Sequence, residues 1–118
     1  MNYGNHLGND RLLVIAQEAR VDWLNSLGYS ELEVGGAGLI MADAAVVYKA
    51  EGHQGEVLFV ELYCEDITPK SFNLLFKITT IRNELPMTLA FVKTGMLYFD
   101  YQKKKITTFP PKFRNCLQ

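Results

Sequence analysis

The chain has 118 residues, 48% apolar and 21% charged, with a net charge of −1 and a pI near 6.1. That length and composition fit one globular domain and exclude a disordered chain or a protein that holds nucleic acid by bulk charge. Two widely spaced cysteines offer no C-x-x-C or zinc spacing, no apolar run approaches the roughly 20 residues of a membrane span, and no basic-then-apolar leader opens the chain. The expectation is a single domain over residues 1–118, cytoplasmic and reduced, with no metal site, no cofactor, and neither nucleic acid nor membrane as a partner.

The first ten residues, MNYGNHLGND, are mostly small, polar or aromatic. Read alone they are solvated punctuation, or a loop holding a substrate at a helix start. The next stretch, DRLLVIAQEARVDWLNSLG, carries apolar residues at Leu12, Ile15, Ala16, Ala19, Trp23, Leu24 and Leu27, the spacing of a helix face. Val14 and Val21 widen that face, so the helix is expected to be wrapped by other structure. Asn9 or Asp10 suits its N-cap, and Gly28 stands where a C′ glycine stops a helix.

After Gly28 the period changes. A loop, YSELEVGGAG, leads to four runs rich in Val, Ile, Phe, Tyr and Thr: GLIMADAAVVYKA, EVLFVELYCEDI, SFNLLFKITTIR and MTLAFVKTGMLYFDYQ. In the second run Leu58, Val60, Leu62 and Cys64 share an apolar face, the expected core side. The connectors EGHQG, TPK and NELP are short and favour antiparallel neighbours. A last run, KKITTF, pairs at an edge until Pro110-Pro111 ends it. The layout is α+β: one long helix, then an antiparallel sheet of four or five strands.

That order, with these residues, resembles the hotdog fold, in which a curved antiparallel sheet wraps a long central helix. More narrowly it is similar to acyl-CoA thioesterases of the 4-hydroxybenzoyl-CoA type. Asn5-His6-Leu7-Gly8-Asn9 resembles their G-H-V-N-N loop, and Glu18-Ala19-Arg20 through Leu24, Leu27 and Gly28 resembles their helix. Tyr48 with Gly55-Glu56-Val57, Ser71-Phe72, Phe99-Asp100 and Pro110 match further pieces in order. Two features depart from the pattern. The usual first strand is missing or truncated, and Asn2 stands four before His6, where the family usually carries an aspartate. Either Met1 is internal to a longer natural chain with the acid just upstream, or the acid is absent.

The resemblance implies hydrolysis of an acyl-CoA or related thioester at a site between subunits of a homo-oligomer, a dimer or tetramer. Coenzyme A is then part of the substrate and no cofactor is needed. The alternative is a non-catalytic hotdog domain that binds an acyl or aromatic ligand. A dehydratase of the same fold ranks lower, because its Pro/Gly-rich loop is absent.

Thioester hydrolysis needs charge stabilisation on the carbonyl oxygen and an activated water. Gly8, Asn9 and Asp10 begin a helix whose unpaired N–H groups meet the first need. His6 could polarise or orient the thioester, with Asn2 and Asn5 positioning water. Glu18 is the remaining carboxylate for a base; its bland reading is a solvated helix residue. Lys70 and Ser71, with Arg82 and the Lys103–Lys105 run, are candidates to meet the substrate and its phosphates; each also reads as plain surface. Asp43, interrupting an apolar strand, faces an interface pocket or solvent, and His53 reads as a turn residue.

Overall fold

The computed structural model describes residues 9–118, with side chains from Arg11 onward. Helix α1 spans Asn9–Ser26. Leu12, Ala16, Arg20 and Leu24 are buried in it, four residues apart, which is one narrow stripe of a 3.6-residue helix. Ile15, Ala19 and Trp23 flank the stripe and pack against the core. Val14 and Val21 are 38% and 39% exposed. Among the described residues, therefore, α1 is covered on one side, short of the wrapped helix the apolar surface led us to expect. Its end follows expectation: Gly28 has φ 85°, its N–H donates to Asn25 O, and the Tyr29 N–H donates to Leu24 O. Those are the paired bonds of a Schellman stop.

The sheet comprises β1 (Gly38–Tyr48), β2 (Phe59–Glu65), β3 (Ser71–Arg82), β4 (Leu85–Asp100) and the two-residue β5 (Lys105–Ile106). It is curved and antiparallel, in the order β1-β4-β3-β2, with β5 added to β4. The β3–β4 hairpin turns through Asn83 and Glu84, both at positive φ, 52° and 66°. Those angles belong to the two-residue turns that match strand twist.

One expectation fails. The short EGHQG link suggested that the first two strands are neighbours, yet β1 and β2 lie at opposite edges. The reason is that Glu56-Val57-Leu58 is not strand but part of a longer connector over residues 49–58. It crosses the end of the sheet: the Lys49 and Ala50 N–H groups donate to Leu89 O, and buried Thr80 donates its hydroxyl to Val57 O at 2.8 Å.

The core lies between α1 and one face of the sheet. Phe72, Leu74, Phe76 and Ile78 alternate inward from β3, facing Met96, Thr94, Val92 and Ala90 of β4. Leu58, Val60, Leu62 and Cys64 do point to this side, but they are only half-buried because β2 is an edge. Past β5 no strand continues through Pro110-Pro111, as expected, but the two prolines also open a further element. Pro110 is the N-cap of a second helix, α2 (Pro111–Cys116), with Pro111 in the first turn, where the missing N–H costs nothing. Phe113 of α2 is fully buried against Trp23, Tyr29, Phe72 and Phe109.

Candidate active site on the first helix

Asn2, Asn5, His6 and Gly8 lie outside the described residues. Asn9 and Asp10 open α1 rather than precede it, so they contribute first-turn backbone and the cap lies no later than Asn9.

Glu18 is exposed and has no hydrogen-bond or ion-pair partner among the described residues. It stands on a ridge with Asp22, one turn on, and grooves run down both sides. One, of about 470 Å³, lies between α1 and β2, walled by Ile15, Ala19, Trp23, Val60 and Leu62. The other, of about 450 Å³, is bordered by Val14, Gln17 and Val21 and by the pair Arg20–Glu31. That pair explains a buried cation on an apolar stripe. Arg20 Nε donates to Glu31 Oε2 at 2.9 Å, with side-chain exposures of 5% and 35%, and ties the helix to the loop before β1. Sequence reasoning gave Arg20 no role; its place four after Ala16 and four before Leu24 was the available signal.

Lys70 and Ser71 are not brought to Glu18. Lys70 is exposed in the β2–β3 turn. Ser71 pairs with Leu97 on the outward face of the sheet, opposite α1, and its hydroxyl bonds to Thr68 Oγ1 at 2.8 Å. Arg82 is committed elsewhere. Its Nε and Nη2 donate to the two carboxylate oxygens of Glu56, both at 2.6 Å, and Nη2 also donates to Glu51 O at 2.5 Å. The guanidinium thus has no free fork for a phosphate. Held first by Arg82 and then by the His53 N–H, the Glu56 carboxyl falls to about 2. His53 is a turn residue, as read. With Arg11, Ile15 and Leu58 this turn lines a further groove of about 320 Å³ beside the start of α1.

Asp43 serves the backbone. It follows the bulge between Met41 and Asp43, and its Oδ1 accepts the Gly95 N–H at 3.0 Å across the β1–β4 pair. Lys103 and Lys104 sit in the turn before β5 and Lys105 opens that strand, all three exposed. Among the described residues no group of three metal-ligating side chains stands together, and no helix is long and apolar enough to cross a membrane.

The fold is shared widely. The chain superposes on the PA2801 protein of Pseudomonas aeruginosa with a TM-score of 0.85 at 21% identity, covering 100% of this chain and 89% of that one. A Staphylococcus aureus protein solved in complex with CoA gives 0.84 at 20% identity over 98% and 72% of the two chains. The 1,4-dihydroxy-2-naphthoyl-CoA thioesterase of Synechocystis gives 0.84 at 20% over 99% and 86%. No curated protein matches the chain. Residues 1–117 match the family described as the thioesterase-like superfamily, and the chain belongs to that superfamily.

Proposed function

We propose that the protein hydrolyses an acyl-CoA thioester at a site formed between two copies of the chain. The observation that carries this reading is Glu18, an exposed, uncommitted carboxylate on a ridge between two grooves of a thioesterase-like domain. A fold relative solved with CoA, and another that is a naphthoyl-CoA thioesterase, support the choice of substrate class.

Helical geometry supports the second copy. From Asn9 to Glu18 the helix rises about 13 Å, so the first-turn N–H groups and the Glu18 carboxylate of one chain cannot converge on one carbonyl. Two α1 helices running antiparallel across a two-fold axis would bring the start of one to the Glu18 of the other. β1 favours such pairing: among the described residues it is an eleven-residue strand at the edge of the sheet, and Met41, Val47 and Tyr48 are exposed on it. The uncovered side of α1 would be buried in the same assembly.

In this mechanism the thioester oxygen rests on the N–H groups at residues 8–10. Glu18 takes a proton from water as the oxygen attacks the carbonyl carbon, and negative charge builds on the oxygen at the helix start. Collapse breaks the C–S bond. The departing CoA thiolate recovers the proton from Glu18, leaving a carboxylic acid. His6 orients the thioester and Asn2 and Asn5 hold the water. Lys70, exposed and cationic, is the candidate for a CoA phosphate.

The test is thiol release over a panel of acyl-CoA esters. Glu18→Gln and His6→Ala should each lower kcat by about 10²–10⁴. Full activity in Glu18→Gln would remove it as the base.

A further inference from the structure

The turn that carries His53 is tied to the sheet, and it faces the start of α1. Part of the tie lies within the turn. The Glu56 N–H donates to His53 O at 3.2 Å, and Gly55, third of the four residues, has φ 85°, the angle of a type II turn. In return the His53 N–H donates to Glu56 Oε1 at 2.7 Å. The sheet supplies the rest. Arg82, the last residue of β3, holds both oxygens of the Glu56 carboxylate at 2.6 Å, and its Nη2 also reaches Glu51 O. Charge-assisted bonds of this kind are strong and fix geometry. The imidazole, 46% exposed, is thus carried on a base anchored to β3 rather than on a swinging loop.

The turn looks onto the groove beside α1. Arg11 and Ile15 wall one side, and His53, Glu56 and Leu58 the other, around about 320 Å³. Arg11 directly follows Asn9 and Asp10, whose N–H groups are read above as the rest for the thioester oxygen. Titratable side chains that converge on a cleft are what a reacting centre needs. We propose that His53 touches the substrate: its imidazole donates an N–H to the carbonyl oxygen of the thioester, from the wall opposite α1. Nδ1 stands 4.0 Å from Glu56 Oε1, so Nε2, on the far side of the ring, is the donor. The proton stays on the imidazole throughout, and the bond strengthens as negative charge builds on the oxygen. Glu56 and Arg82 are positioning residues that act through His53. The inference rests on reading the helix start as the place of the carbonyl oxygen.

Thiol release from acyl-CoA esters tests the role. His53→Ala should lower kcat by about tenfold to a hundredfold, the worth of a hydrogen bond to a charged group, and leave KM within about twofold. His53→Gln, which keeps an N–H donor, should recover part of the loss. Glu56→Gln should lower kcat less, and the double change Glu56→Gln with His53→Ala should be no worse than His53→Ala alone. Losses that simply multiply would overturn the positioning role.

A second measurement needs no turnover. The chain has two histidines, so the His53 ring resonance is assigned by its loss in His53→Gln. It is followed in the full chain on adding acetonyl-dethia-CoA, in which CH2 replaces the sulfur and the carbonyl is kept but cannot be hydrolysed. The resonance should shift saturably, and S-ethyl-CoA, which has no carbonyl, should shift it less. Full activity in His53→Ala with an unmoved resonance would overturn the assignment and leave the hydrolase reading standing. A resonance that follows the carbonyl analogue in a chain that hydrolyses no ester would keep His53 as the donor and remove the hydrolase.

Discussion

Phe113→Ala is the sharpest test of how the domain is closed. Phe113 is 0% exposed, and its ring meets four others: Tyr29 and Phe109 at 5.4 Å, Phe72 at 6.1 Å and Trp23 at 6.4 Å. Those four come from α1, the loop that follows it, β3 and the segment after β5. The cavity left behind could not collapse from one side alone. A buried Phe→Ala change costs about 3–5 kcal/mol, a large share of the 5–15 kcal/mol typical of a domain. With an unfolding entropy of about 2.1 cal/mol/K per residue, the melting temperature should fall by about 12–20 °C. Urea unfolding followed by far-UV circular dichroism gives the free energy directly, and its slope should not change. A loss under about 1 kcal/mol would mean that α2 is an appendage rather than part of the core.

Three further outcomes are expected. Gly95→Ala would place a Cβ 2.5 Å from Asp43 Oδ1, so the Asp43 side chain must leave the Gly95 N–H; a loss of about 1–2 kcal/mol, mostly abolished in an Asp43→Ala background, is read by urea unfolding. Glu56 titrates near 2 instead of 4.5, so its contribution to stability is complete above pH 4.5 and fades as pH falls toward 2. Glu56→Gln should flatten stability against pH across that window, as measured by thermal melts in a pH series. Burial raises the Cys64 thiol to about 11 while Cys116 is exposed, so a thiol reagent at pH 8 should label one cysteine quickly, and Cys116→Ser should remove the fast phase.

Local signals in the chain proved legible, and long-range ones did not. The helix stop at Gly28 and the bounds of β3 follow from residues that act on their own neighbours: a glycine free to take positive φ, and twelve residues alternating in and out. The β1–β2 link misled because its length was judged without its partners; Glu56 and Arg82 are 26 positions apart. Pro110-Pro111 marks both a strand end and a helix start; the first was legible, and the second depends on Phe113 packing into the aromatic cluster. Glu18 could be singled out because a carboxylate on a helix is visible in any sequence. That Ser71 points away from it could not, since sheet faces depend on register set by β4. Arg20 shows the same limit: its spacing says buried, and its charge says exposed, until Glu31 is found eleven residues on.

Strand order has a consequence for how the chain is made. β1 emerges from the ribosome early, but the strand it needs is β4: Tyr48 meets Ala90 and Gly38 meets Phe99. At 5–20 residues per second, Phe99 is made about 3–10 s after Tyr48. During that interval LIMADAAVV is a nearly uncharged, strand-forming segment with both edges open. Asp43 is its one charge, and the bulge before it interrupts the register that a stray strand would copy. An uncharged residue at position 43 would thus be expected to lower soluble yield during synthesis more than it lowers the stability of the finished fold.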